Sequence, residues 1–319
     1  MKTLDYLAEK IRAVSSALIF CHVRPDGDTL GSAFALKSAL ETLGKRADVV
    51  CDSEIPAKFD FLPYKAMCFK PENVTGKYDL HIAVDVASEN LLGGSWALFR
   101  SNKNVMCIDH HPSNERYVTD CYIENAASAS IIIYKLIGLL GAAVNADVAT
   151  GILLGVVTDT GNFLNPNTDA EALKIASEVM NAGADYANIS YQTKKITFNR
   201  AKLLSDVLTH ARYYFGNKLS IIYTSPGMLE KYGVKNESNE GFVDLPLWID
   251  GVVVSVSLLE EKHNFFRVSF RSRGAVDVNA VAGEFGGGGH ANASGCVIRG
   301  CLEEAIERIV RAVEVNSDF

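Results

Sequence analysis

The feature that most constrains the fold of this chain is the alternation of short apolar segments with helical patterns over its first 190 residues. The apolar segments are rich in Val and Ile and occupy residues 17–23, 47–51, 80–86 and 105–108. Continuous apolar runs of this length are typical of strands that are buried on both faces of a parallel sheet. Helical patterns accompany them at residues 29–43, 129–140, 146–157 and 168–180. The alternation predicts a parallel α/β domain.

The pattern changes in the second part of the chain. Strand-like segments occupy residues 220–224, 252–259, 265–269 and 296–299, and an amphipathic helix is predicted at residues 302–315. Residues 198–213 are typical of a helix that connects two domains. We therefore predict a first domain at residues 1–190, a helical linker at 191–215 and a smaller α/β domain at 216–319.

Composition excludes several classes of protein. With 48% hydrophobic and 22% charged residues, the 319-residue chain is typical of a globular protein. Its apolar runs are far shorter than the ~18 residues of a membrane span, and charge in its first turns argues against a signal peptide. Seven cysteines without a C-x-x-C pair predict a reduced, cytoplasmic protein. The sequence leaves open whether the chain forms a homodimer.

The charge distribution limits the partners. The net charge is −7; residues 1–190 carry 16 Lys and Arg against 23 Asp and Glu, whereas residues 191–319 carry 15 of each. Tight binding to long nucleic acid depends on many phosphate contacts, so we expect no long duplex as a partner. A short phosphorylated ligand that is held by a few groups remains compatible with this charge.

Acidic and imidazole side chains follow the predicted strands or close a predicted helix. They are His22, Asp26, Asp28, Asp85, Asp109, His110, His111 and Asp159. The carboxyl ends of parallel strands meet at one edge of a sheet, where ligands of open α/β folds bind. Carboxylates and imidazoles without a thiolate suit divalent cations such as Mn²⁺. Two cations bridged by one carboxylate would offset the repulsion among so many acids and would serve phosphoryl chemistry.

Each of these residues alone also has a simpler interpretation. Asp26 and Asp28 lie in a Pro-Asp-Gly-Asp segment that favours a turn, and Asp159 is compatible with the end of a helix. The coincidence of all the segments at strand or helix ends favours a ligand site.

Five segments, taken in order, resemble the motifs of a known family. The first four are His22-x-x-Pro25-Asp26-x-Asp28-x-x-Gly31-Ser32, Val84-Asp85, Asp109-His110-His111-Pro112 and Thr158-Asp159-Thr160-Gly161. They resemble the motifs of DHH-superfamily phosphoesterases. The fifth, Phe285-Gly-Gly-Gly-Gly-His290-x-x-Ala293-Ser294-Gly295, resembles the signature of the DHHA1 domain. The organisation is similar to that of bacterial NrnA-like members, which have one DHH and one DHHA1 domain.

The resemblance implies two Mn²⁺ ions per subunit. In this pattern His22 and Asp26 bind the first ion, Asp28, His110 and Asp159 bind the second, and Asp85 bridges them. The resemblance further implies that His111 contacts the scissile phosphate, and we interpret Asp109 as the residue that orients a ligating imidazole. The expected catalytic residues are thus His111, Asp109 and Asp85.

The glycine run at residues 286–289 predicts a second binding site. A Gly-rich stretch is often a flexible linker, but this one lies inside a domain, and consecutive glycines can direct several N–H groups at one anion. The resemblance implies that the non-scissile end of a nucleotide binds Arg271, Ser272, Gly287, Gly288, Gly289 and His290. Arg273 is a weaker candidate. We expect the active site to lie in the cleft between the two domains.

The resemblance implies a Mn²⁺-dependent phosphoesterase that acts as an oligoribonuclease (nanoRNase) on short oligoribonucleotides and as a phosphatase on 3′-phosphoadenosine 5′-phosphate (pAp). A phosphodiesterase for linear or cyclic dinucleotides such as pApA or c-di-AMP is the nearest alternative. A RecJ-like single-strand exonuclease is a further one. A nucleotide sensor without turnover is the alternative from a different class, and the complete set of metal-ligand candidates argues against it.

Overall fold

The computed structural model describes residues 2–62, 65–235, 241–274 and 276–319. The chain divides into two compact units, Met1–Lys195 and Ile196–Phe319. This division falls within the predicted linker. None of the helices among the described residues combines the length and apolar character that crossing a membrane requires.

The first unit is built on a six-stranded sheet in the order β3-β2-β1-β4-β5-β6, and every pairing in it is parallel. The strands are β1 (Ser16–Phe20), β2 (Arg46–Val50), β3 (Cys68–Phe69), β4 (Leu80–Val84), β5 (Val105–Asp109) and β6 (Asp120–Ile123). All four predicted strands are present. Two further strands were not predicted: β3, which has only two residues, and β6, which begins with a charged residue.

Helices cover both faces of this sheet, as the parallel α/β class predicts. They are α1 (Leu4–Arg12), α2 (Gly27–Thr42), α3 (Ser95–Arg100), α4 (Ala129–Leu140), α5 (Ala146–Asp159), α6 (Ala170–Asn181) and α7 (Tyr186–Lys194). In β1, Ala17 and Ile19 pack into the larger hydrophobic core. Leu18 and Phe20 pack into the core on the opposite face. A strand buried on both faces explains why β1 reads as a continuous apolar run.

Helix α2 packs unusually close to α5. Fourteen of the 16 residues of α2 are buried. A Cβ atom at Gly151 would lie 2.6 Å from the carbonyl oxygen of Gly31, and a Cβ atom at Gly31 would collide with the carbonyl oxygen of Gly151. Glycine is therefore required at both positions by the close approach of the two backbones. This contact brings the first turn of α2 beside the last turn of α5.

The second unit contains a six-stranded mixed sheet in the order β11-β12-β10-β9-β8-β7. The strands are β7 (Arg212–Tyr214), β8 (Leu219–Thr224), β9 (Val254–Lys262), β10 (Phe265–Ser272), β11 (Gly288–His290) and β12 (Ala293–Arg299). The β8–β9 pair is parallel and the other pairs are antiparallel. The helices are α8 (Phe198–Thr209), α9 (Pro226–Tyr232), α10 (Val278–Gly283) and α11 (Leu302–Val315).

Most predicted boundaries differ from the structure by a few residues, and two of the differences have a clear physical reason. The helix predicted at residues 198–213 ends at Thr209, and Arg212–Tyr214 forms strand β7. Leu203 and Val207 of α8 pack against Ile222 and Phe242, so this segment is part of the second unit and not a free linker. The strand predicted at residues 80–86 ends at Val84, because the next residue leaves the extended conformation.

We expect Gly151→Ala to reduce the free energy of unfolding by about 1–3 kcal/mol, because the methyl group forces α2 and α5 apart. Urea unfolding measures this change. Gly138→Ala is the matched control, since it lies in α4 with no atom within 4 Å of the added Cβ; it should raise the free energy of unfolding by about 0.5–1 kcal/mol. Equal effects of the two substitutions would contradict the packing role of Gly151.

Candidate active site

The structure brings all eight acidic and imidazole candidates of the first unit to the carboxyl edge of its sheet. His22 follows β1, Asp85 follows β4, and Asp109 is the last residue of β5. Two helix ends complete the group: Asp28 lies in the first turn of α2 and Asp159 is the last residue of α5. The close contact between α2 and α5 explains why residues 131 positions apart meet here.

The first half of the site surrounds His22. Its Nε2 lies 3.6 Å from Oδ1 of Asp26 and 3.5 Å from Oδ2 of Asp85. Its Nδ1 lies 2.8 Å from the carbonyl oxygen of Val23 and therefore donates. Asp26 is the N-cap of α2, and its Oδ1 accepts the amides of Asp28 and Thr29. Asp26, for which the sequence favours a turn, thus also lies beside the imidazole of His22.

The second half of the site surrounds His110. Its Nε2 lies 3.3 Å from Oδ2 of Asp159, 3.8 Å from Oδ2 of Asp28 and 3.5 Å from Oδ1 of Asp85. Its Nδ1 lies 3.1 Å from the carbonyl oxygen of Ala126. In both histidines a backbone carbonyl accepts from Nδ1, so that Nε2 faces the carboxylates.

Asp85 lies between the two halves. It is 2% exposed, and its Oδ2 faces His22 while its Oδ1 faces His110. Among the described residues Oδ1 accepts no hydrogen bond. The backbone of Asp85 has φ = +58°, a left-handed conformation that is uncommon outside glycine and that often marks functional sites. This conformation also explains why β4 ends at Val84, two residues before the predicted end.

Asp28 is held by the start of another helix. Its Oδ2 accepts the amide of Ala129 at 2.6 Å and its Oδ1 accepts the amide of Ser130 at 2.9 Å. The positive end of α4 therefore faces a fully buried carboxylate. A Cβ atom at Gly155 would collide with Oδ1 of Asp28, so glycine on α5 makes room for this carboxylate. These supporting groups were not predicted, because every residue type except proline has a backbone amide and the sequence does not show which amides face a carboxylate.

Asp109 contacts the second histidine of the Asp-His-His segment. Its Oδ1 accepts Nδ1 of His111 at 2.8 Å and the amide of His110 at 2.8 Å. The imidazole that it orients is therefore that of His111. Burial alone would lower the pKa of His111, but the hydrogen bond to Asp109 and the nearby carboxylates raise it to about 9. The hydrogen bond to His111 in turn holds the pKa of Asp109 below its ordinary value although burial opposes this.

The carboxylates destabilise one another's charged forms. Burial and the charge of Asp85 raise the pKa of Asp28 to about 7. Burial and the charges of Asp28 and Asp26 raise the pKa of Asp159 well above its ordinary value. Burial lowers the pKa of His22, but its hydrogen bonds to Asp26 and Asp85 raise it overall. Cations at this position would favour the charged form of every carboxylate.

This donor set fits divalent cations. Two groups of ligand atoms, each within 4.8 Å of one another, are formed by His22, Asp26 and Asp85 and by Asp28, His110 and Asp159. Because Nδ1 of each ring faces a backbone carbonyl, Nε2 is directed at the carboxylate oxygens, and a cation between them is an arrangement that both kinds of ligand atom can satisfy. That Oδ1 of Asp85 accepts no hydrogen bond from the residues described by the structure fits the same interpretation.

In the second unit the arginine and serine candidates already have partners. Nε of Arg271 donates to Oδ1 of Asp244 at 3.0 Å, and Nη1 donates to the carbonyl oxygen of Phe270 at 2.9 Å. The buried hydroxyl of Ser272 accepts the amides of Gly274 and Val276. Ser272 therefore shapes the turn after β10. The guanidinium of Arg273 lies 5.8 Å from the centre of the Trp248 ring.

The glycine run packs against a strand. Gly288, Gly289 and His290 form β11, which pairs with β12. A Cβ atom at Gly289 would lie 2.5 Å from the carbonyl oxygen of Ala293, and one at Gly287 would collide with the carbonyl oxygen of Gly295. The amide of Gly287 donates to the carbonyl oxygen of Ala282, so this amide is not available to an anion as predicted. Gly287 and Gly289 are required by close packing, and the run is not a linker.

Comparison with known proteins assigns both units to families. The family "DHH family, N-terminal domain" matches residues 16–156, and "DHHA1 domain" matches residues 219–315. The bifunctional oligoribonuclease and PAP phosphatase NrnA of Thermus thermophilus is 34% identical over 96% of this chain and 92% of its own length. The protein of the same name from Bacillus subtilis is 30% identical over 91% of this chain and 92% of its own length.

A solved structure agrees with these assignments. The crystal structure of an exopolyphosphatase-related protein from Bacteroides fragilis has a TM-score of 0.90 and 25% identity, and covers 98% of this chain and 95% of its own. Three observations support one family: the order of the two domains, the eight residues at the sheet edge, and the identity to relatives over almost the whole chain. This chain belongs to the NrnA family of DHH phosphoesterases, in which a DHH domain precedes a DHHA1 domain.

Proposed function

We propose that this chain is a Mn²⁺-dependent phosphoesterase that hydrolyses short oligoribonucleotides to nucleoside monophosphates and pAp to AMP. The observation that carries the proposal is the position of Asp85, whose two carboxylate oxygens face His22 and His110 at 3.5 Å each. This is the arrangement that two metal ions sharing one carboxylate require. The relatives from Thermus and Bacillus are named for both activities.

The proposed ligands of the two ions follow from the two halves of the site. His22 and Asp26 would hold one Mn²⁺, Asp28, His110 and Asp159 the other, and Asp85 both. When bound, two such ions activate water for attack on phosphorus and offset the charge that develops on the phosphoryl oxygens.

The chain's own residues position the substrate and the reacting groups. The carbonyls of Val23 and Ala126 hold the rings of His22 and His110 so that Nε2 faces the site. Asp109 accepts from Nδ1 of His111, which leaves Nε2 as the ring nitrogen that would contact the scissile phosphate. Asp109 also favours the protonated form of that imidazole, in which Nε2 donates.

The second unit would hold the non-scissile end of the substrate. The exposed His290 on β11 and Arg271 near the end of β10 are the side chains that we propose for this role, and guanidinium groups suit phosphate. Gly287, Gly288, Gly289 and Ser272 would act through the backbone that they shape. The cytoplasmic location and a homodimer remain predictions.

Metal removal is the first test. We expect a chelator to abolish hydrolysis of pAp and added Mn²⁺ to restore it. Asp85→Ala should reduce kcat/KM at least about a hundredfold, since the carboxylate serves both ions. Steady-state kinetics and equilibrium dialysis with Mn²⁺ measure both effects. Asp60→Asn, which alters a surface ion pair with Lys65, is the control. Undiminished turnover by the Asp85 variant would contradict the two-metal assignment.

Substrate length is the second test. Rates should be compared side by side for pAp, pApA, a cyclic dinucleotide and single-stranded RNA of increasing length. We expect pAp and the shortest RNAs to be the best substrates, with a log–log salt slope of about −0.7 for each phosphate contacted. A cyclic dinucleotide as the best substrate would favour the dinucleotide alternative. Rates that rise with length, with a steep salt slope, would favour a RecJ-like exonuclease.

The third test separates end recognition from chemistry. Arg271→Ala and His290→Ala should each reduce kcat/KM for pAp about ten- to a hundredfold, the usual cost of a charge-assisted phosphate contact. Both should leave kcat/KM for bis-p-nitrophenyl phosphate unchanged, because that ester has no second phosphate at a non-scissile end. His111→Ala should slow both substrates. Arg267→Ala, on the same strand but paired with Glu261, is the control. Equal losses on both substrates would contradict the role of Arg271 and His290.

A further inference from the structure

Asn114 lies in the loop that follows the Asp-His-His segment, and its side chain is almost completely buried. Its Nδ2 donates to Oδ2 of Asp109 at 2.6 Å and to the carbonyl oxygen of Val86 at 3.0 Å. Its Oδ1 accepts the amide of Arg116 at 2.7 Å. Both amide hydrogens and the amide oxygen of Asn114 are therefore used.

The hydrogen bond to Asp109 fixes a carboxylate that has no contact with solvent. Asp109 is 0% exposed; its Oδ1 accepts from His111 and its Oδ2 accepts from Asn114. A buried carboxylate without such partners is strongly destabilised. With Oδ2 held, rotation of the carboxylate is blocked, and Oδ1 remains in the plane from which it accepts Nδ1 of His111.

The second hydrogen bond joins two segments of the site. Val86 directly follows Asp85, whose amide donates to the carbonyl oxygen of Ile108 beside Asp109. Asn114 donates to both the carbonyl oxygen of Val86 and the carboxylate of Asp109. It thereby sets the distance between the segment that carries Asp85 and the segment that carries His111. In the structure, Nδ1 of His111 lies 3.5 Å from Oδ1 of Asp85.

We propose that Asn114 is a positioning residue that holds His111, through Asp109, in the orientation needed at the scissile phosphate. The inference rests on the proposed function of the site, and nothing in it requires Asn114 to touch the substrate. Neither an acidic nor an apolar side chain replaces this amide: Asp would place a second carboxylate beside Asp109, and Leu would leave Oδ2 of Asp109 without a donor.

The test is a double-mutant cycle between Asn114 and His111. In the otherwise unchanged protein, Asn114→Leu should lower kcat for pAp about ten- to a hundredfold with less than about a twofold change in KM, the size expected for loss of a charge-assisted hydrogen bond. In the His111→Ala background the same substitution should cost less than about twofold, because the group that it positions is gone. Equal losses in both backgrounds would overturn the proposal.

Asn102 provides a closely matched control. Its Nδ2 donates to the carbonyl oxygen of Tyr78 and its Oδ1 accepts the amide of Asn104, the same two backbone bonds that Asn114 makes. It lies before β5, at the opposite end of that strand from Asp109, and within the described part of the chain its hydrogen bonds go to Tyr78 and Asn104 rather than to a catalytic carboxylate. Asn102→Leu should lower thermal stability while kcat stays within about twofold. A loss of kcat comparable to that of Asn114→Leu would mean that loop stability alone explains the effect.

A second readout does not depend on activity. In the metal-free full-length protein, ¹H–¹⁵N spectra of the imidazole groups should show a protected Nδ1–H signal that disappears in His111→Ala. Asn114→Leu should shift or remove this signal and leave those of His22 and His110 in place, because backbone carbonyls hold them. Asn114→Asp, which keeps the acceptor for the Arg116 amide, gives the same test if the Leu variant does not fold. An unchanged His111 signal would overturn the proposal.

The two readouts separate this inference from the proposed function. If the unchanged protein does not hydrolyse phosphoesters, the proposed function fails, and the spectra still decide whether Asn114 orients His111. If the protein is active but the cycle is additive and the spectra are unchanged, only the role of Asn114 fails.

Discussion

The repulsion among buried carboxylates is the constraint on which the rest of this structure depends. Asp28 and Asp85 are almost inaccessible to solvent, and Asp28 and Asp159 both face His110. Two amides at the start of α4 offset part of the charge of Asp28, but its pKa is still raised to about 7. A site that concentrates unneutralised acids in this way is suited to divalent cations, which explains why both histidines present Nε2 to the carboxylates.

The first unit can bring these carboxylates together because glycine, which has no side chain, occupies the positions where its helices pack most closely. Glycines 31 and 151 let α2 and α5 approach until their backbones touch, and Gly155 makes room for the carboxylate of Asp28. The left-handed backbone of Asp85 turns the chain at the end of β4 and directs its carboxylate between the two histidines. The packing of the first unit and the geometry of the site are therefore coupled, and we expect a substitution in the contact between α2 and α5 to affect both.

The two units support the functional proposal in different ways. In the first, side chains far apart in sequence converge on one small volume. In the second, the glycine run and Ser272 are used mainly to build strand β11 and the turn after β10, so the proposed recognition by this unit would depend on a few side chains such as Arg271 and His290. The sequence motif of the second unit is explained in part by backbone packing, and side-chain identity alone does not separate that role from the proposed ligand contact.

The sequence by itself determined the parallel α/β class, four of the six strands of the first sheet and the eight residues at its edge. It could do so because buried strands are continuously apolar and because strand ends in a parallel sheet share one edge. Only the tertiary structure decided that Asp85 faces both histidines, that Asp109 holds His111, and that α4 caps Asp28. The direction of the Asp85 carboxylate depends on a single left-handed residue, and the contact of Asp109 depends on which of two adjacent histidines turns towards it. The cap on Asp28 is made by backbone amides about a hundred positions away, whose approach is fixed by helix packing rather than by local sequence.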